Sequence, residues 1–63
     1  MDVGAEKARI ESFAEAGNFH AAFNLAISAL NACRRDGDQE GVEEFLAVIR
    51  ELALAMEGVF GGG

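Results

Sequence analysis

Three places in this chain carry residue types that do chemistry. The first is Asp36-Gly37-Asp38-Gln39-Glu40-Gly41. Acids at alternate positions followed by a glycine match the first half of a calcium loop, where side-chain oxygens hold the ion and the glycine turns the chain. The second half departs from it. The apolar position is Glu43, and the closing bidentate glutamate is replaced by Ala47. The expectation is a polar turn with capping acids and no metal site, Asp36, Asp38 and Glu40 being the residues on which a metal would have to depend. The second place is His20, a base or pH switch in principle. Its helical face offers only Asn24 and Ser28, so a solvated histidine is expected. The third is Cys33. Arg34 and Arg35 would favour its thiolate if it were exposed. The end of a helix disfavours one, and Cys33 falls on an apolar stripe, so an inert core thiol is expected. No nucleophile is paired with a base. No catalytic residue and no cofactor are expected, and the chain reads as a non-enzyme.

These residues sit on three expected helices, at about 4–16, 19–35 and 39–57. In the first, Ile10, Phe13 and Ala14 are spaced i, i+3, i+4, while Val3 and Ala5 add little. Gly17 suits the residue that closes a helix, and Asn18 suits the cap of the next. In the second, Phe19, Ala22, Phe23, Ala26, Leu30 and Cys33 form one stripe, widened by Leu25, Ala29 and Ala32. Small residues at Ala22, Ala26 and Ala29 admit a close neighbour, and Phe19, Phe23, Leu25, Ile27 and Leu30 fill the space between. The opposite face carries His20, Asn24, Ser28 and Asn31. These are polar but uncharged, hence cheaper to desolvate than Lys or Glu, and they make a candidate partner face. Either Asp36 or Asp38 can cap the third helix.

The third helix has the strongest periodicity. Val42, Phe45, Ile49, Leu52, Met56 and Val59 alternate in steps of three and four. Leu46, Ala53 and Phe60 broaden this seam on one side, Val48 and Ala55 on the other. A helix apolar over so much of its circumference contacts more than one neighbour. Val42, Phe45, Ile49, Leu52 and Met56 are therefore expected as a dimer or core seam. Gly61 to Gly63 are expected to be disordered.

Gly17, Phe19, Ala22, Ala26, Ala29 and Leu30 resemble the second half of a tetratricopeptide repeat, with Phe13 at that family's first-helix tyrosine position. The likeness covers about 30 residues, most closely 17–30. Glu6 stands where the family favours tryptophan, Arg9-Ile10 replace leucine-glycine, and Arg34 replaces the closing proline. Glu40, Glu43 and Glu44 do not continue the pattern. The resemblance implies a helical hairpin plus one extra helix rather than a repeat array, and a module that binds peptides or proteins.

Composition narrows the function classes. The 63 residues make one domain, expected over 1–60. Twelve of the hydrophobic residues are alanine, the best helix former, and there is no proline. An all-α fold follows: an antiparallel hairpin and a long third helix folding back on it. A chain this short has a marginal core, and its single cysteine allows no intramolecular disulfide. A homodimer is the support left. With 11 acids against 5 bases the net charge is −6, and Arg34-Arg35 is followed at once by Asp36 and Asp38. Neither nucleic acid nor an anionic membrane surface is expected as a partner. The first residues lack a signal-peptide pattern, and one reduced thiol suits the cytoplasm. The expected function is a small acidic protein–protein interaction module, an adaptor or regulator. The alternative is an acidic inhibitor of a basic-site protein: an antitoxin, an anti-defence protein or a nucleic-acid mimic.

Overall fold

The computed structural model describes residues 1–58. Among them are three packed helices, α1 (Val3–Glu15), α2 (Phe19–Asp36) and α3 (Gln39–Met56), and no strand. Each helix end lies within one residue of the limit read from the sequence. Val59, Phe60 and Gly61 to Gly63, read as the end of the seam and a disordered tail, lie outside the described residues.

One turn chemistry is used twice. At the end of α1, Gly17 N donates to Ala14 O at 3.0 Å and Asn18 N to Phe13 O at 2.9 Å. At the end of α2, Gly37 N donates to Arg34 O at 3.3 Å and Asp38 N to Cys33 O at 2.9 Å. These paired bonds satisfy carbonyls that the helix leaves open, and they require the left-handed backbone. Gly17 and Gly37 supply it, at φ +82° and +73°. The residue after each glycine then caps the next helix. Asn18 Oδ1 accepts from Ala21 N at 3.2 Å, and Asp38 Oδ1 accepts from Gly41 N at 3.0 Å. Asp38 is thus the cap of α3, and Asp36 is the last residue of α2. Asp2 caps α1 through Ala5 N at 3.1 Å. Arg34 and Arg35 occupy the last turn of α2, where cations oppose the helix dipole.

Helix α2 is the centre of the packing. It lies against both neighbours, and α1 touches α3 least. The core is Ile10, Ala22, Ala26, Ala29, Cys33, Phe45, Val48 and Leu52. Ala22, Ala26, Ala29 and Cys33 recur at i, i+4, i+7, i+11, one narrow stripe of small side chains that lets other helices come close. Among the described residues, Phe45 and Ile10 are the two large side chains buried completely. Three expectations change. Val3 packs against the core instead of standing apart from it. Ile27, read as filling space inside, is 46% exposed, because it lies around α2 from the alanine stripe. Phe13, read as part of the apolar stripe of α1, sits at the edge of the core, 36% exposed. No helix of the described residues is long and apolar enough to cross a membrane.

Candidate functional site

The acidic turn does not gather its oxygens. Among the described residues no group of three or more His, Cys, Asp or Glu is placed to hold a metal ion. The candidate set Asp36, Asp38 and Glu40 is divided between two helices. Asp36 ends α2, Asp38 spends its carboxylate on the cap, and Glu40 lies in the first turn of α3. The glycine that resembled the loop glycine has a different role. Gly41 is buried where α3 meets α2, and a Cβ there would lie 2.6 Å from both Cys33 Sγ and Asp38 Oδ2. It is needed for space at a helix contact.

Cys33 is buried in the core. Burial pushes its thiol up from the ordinary value of 9.0, and the carboxylates of Asp38 and Asp36 push the same way. The folded chain therefore holds the thiol proton more firmly than the unfolded chain. Below pH 9.0 both states are protonated and the contribution to stability is whole. As pH rises past that value toward the folded pKa, the unfolded chain ionises first and stability falls. Urea midpoints measured from pH 7 to 10.5 should drop at the alkaline end, and Cys33→Ala should flatten that drop. A wild-type drop no larger than the variant's would contradict it.

His20, Asn24, Ser28 and Asn31 are all exposed. Asn24 and Ser28 share a shallow groove with Ala21 and Leu25 of α2 and with Arg9 and Phe13 of α1. The five seam residues divide. Phe45 and Leu52 are in the core of a single chain, so they are not available to a second copy. Val42 and Ile49 are half-buried and pack against the core from outside, and Met56 is half-buried.

Two further surfaces arise from the packing. An open groove beside the start of α3 is lined by Asp38, Glu40, Glu43 and Glu44, with Val3, Gly41 and Ala47 between them. Lys7 reaches Glu44 at its edge, Nζ to Oε2 3.2 Å, joining α1 to α3. The second surface is the side of the molecule away from α1. Helix α1 lies on the Ala21 and Leu25 side of α2 and on the Val48, Glu51 and Ala55 side of α3, sharing a groove with each. The opposite flanks carry Phe19, Phe23, Ile27 and Leu30 on α2 and Val42, Leu46, Ile49 and Ala53 on α3. Phe19, Phe23, Leu30, Val42 and Ile49 are partly buried against the core, while Ile27 and Leu46 are each 46% exposed. These two stripes make an α2–α3 face without a single acid, on a chain of net charge −6. Sequence periodicity held the signal for this face in Leu46 and Ala53 beside the seam; it did not show which flank α1 covers.

No protein-family model, no curated protein and no solved structure matches this chain.

Proposed function

We propose that this chain is a small, acidic, non-enzymatic protein–protein interaction module, an adaptor or regulator that works as a homodimer in the cytoplasm. In this reading α1 and α2 form an antiparallel, tetratricopeptide-like hairpin, and α3 folds back along α2. The α2–α3 face carries the proposal. Exposed apolar side chains at Ile27 and Leu46, continuous with half-buried neighbours, are costly to leave in water and characteristic of a contact surface. The size of the core points the same way. Of its eight residues three are alanine and one is cysteine, and a chain below about 70–80 residues rarely draws enough stability from such a core alone. The polar stripe from His20 to Asn31 is left free for a second protein. Dimerisation of the folded chain makes the thermal midpoint rise with protein concentration. A midpoint constant over a hundredfold concentration range would remove the homodimer.

The groove of Asp38, Glu40, Glu43 and Glu44 favours a second reading, an acidic inhibitor that covers a basic groove on its target. Its binding would weaken steeply with salt. Calorimetric titration of a lysine-rich peptide at low and high salt tests it: heat lost at high salt supports the reading, and no heat at low salt removes it.

A further inference from the structure

We infer that the groove between α1 and α3 docks a basic amphipathic segment of another protein, its apolar side chains in the groove and its Lys or Arg on the rims. The inference goes beyond the homodimer reading and does not depend on it. Of the three helix pairs, α1 and α3 touch least. The gap between them, about 220 Å³, has a floor of Ile10, Val48 and Leu52, all buried. Its walls are low because Ala14 stands on α1 and Ala55 on α3, where larger side chains would close it. The volume falls below the roughly 300–1,000 Å³ of a small-molecule pocket. It suits side chains presented by a helix laid along the groove.

Charge selects the occupant. The rims carry Glu11 and Glu15 on α1 and Glu51 on α3, all exposed, and among the described residues no base lines the groove. None of the three acids belongs to the ion pairs found among the described residues, Lys7–Glu44 and Arg9–Glu6. The groove also runs to the C-terminal ends of both helices, Glu15 being the last residue of α1 and Ala55 the last but one of α3. A helix C-terminus carries partial negative charge and favours a cation. Helix α2 meets this with Arg34 and Arg35, but α1 and α3 have no base in their last turns. Carboxylates and helix ends therefore add up around an apolar floor, and an apolar side chain flanked by Lys or Arg answers both. The acidic groove beside Gly41 differs. It lies at the start of α3, where acids are favourable without a partner, and Lys7 already engages Glu44 there.

The probe is a lysine-rich peptide with two leucines one helical turn apart, titrated calorimetrically into the full chain. A control peptide has serine at both leucine positions. The leucine peptide should bind, and the serine peptide should bind about tenfold or more weakly. Ala55→Leu fills the groove. Position 55 is exposed and leucine suits a helix, so this variant should keep its helicity and lose the peptide. The triple variant Glu11→Gln/Glu15→Gln/Glu51→Gln should weaken binding about tenfold, the sum of three exposed charge pairs. Glu40→Gln/Glu43→Gln, in the other acidic groove, should leave it unchanged. A wild-type chain that binds neither peptide, or both alike, overturns the proposal, as does wild-type affinity in Ala55→Leu. Binding lost in Glu40→Gln/Glu43→Gln and kept in the triple variant moves the peptide to the start of α3 and also overturns it. If Ala55→Leu abolishes self-association of the chain while the wild type takes up no peptide, the groove belongs to a second copy and the proposal fails. The homodimer reading is decided separately, by the solution mass of the wild type.

Discussion

Phe45→Ala is expected to lose most of its helical signal at 25 °C. Phe45 has no exposed surface, and apart from Ile10 it is the one large side chain buried completely among the described residues. Its truncation removes the transfer free energy of the ring and leaves a cavity that neighbours fill only in part, about 3–5 kcal/mol together. A core in a chain of this size contributes only about 3–5 kcal/mol in all, so the loss is comparable to the whole. The alanines at 22, 26 and 29 cannot relieve it, because a methyl group has no rotamer that reaches into the gap. If the chain dimerises, mass action restores part of the signal as concentration rises. Far-UV circular dichroism at two concentrations checks this. Full helicity with an unchanged urea midpoint would mean that Phe45 is not the centre of the core.

Gly41→Val is the second large effect. The new side chain enters space already held by Cys33 Sγ and Asp38 Oδ2, each 2.6 Å from where even a Cβ would stand. Cys33 is buried and has little room to turn aside, so α3 must lift from α2, at a cost of about 1–3 kcal/mol. Asp38 can swing away only by loosening the 3.0 Å bond from Gly41 N that caps α3, which costs about 1 kcal/mol more. The double variant Cys33→Ala/Gly41→Val removes the sulfur and should be more stable than the sum of the single effects by about 0.5 kcal/mol or more. Urea unfolding of the four chains measures that coupling. Strict additivity would mean that close approach to Cys33 is not what the glycine serves.

Local features of this fold were legible because their causes are local. Gly17-Asn18 and Gly37-Asp38 each close one helix and cap the next through bonds within six residues, so the amino-acid order alone carries them. The alanine stripe of α2 was legible for a similar reason: its small side chains recur at helical spacing. Gly41 was not. An acidic turn followed by glycine fits a metal loop and a tight helix contact equally well, and only the position of Cys33 across the interface separates them. Ile27 and Val3 were misplaced for the related reason that periodicity gives each helix its own apolar arc but not its neighbours. On α3 that arc spans Val42, Leu46, Val48 and Ala55, and the path of α1 decides which part is covered. The exposed apolar face at Ile27 and Leu46 therefore became visible only once α1 was placed.

The homodimer is the claim on which the functional reading turns, and the solution mass tests it most directly. Light scattering with reductant present, at two concentrations a hundredfold apart, should give twice the 6.6 kDa of one chain at the higher concentration. A folded chain of 6.6 kDa at both concentrations would contradict the account and leave Ile27 and Leu46 as a surface for some other protein.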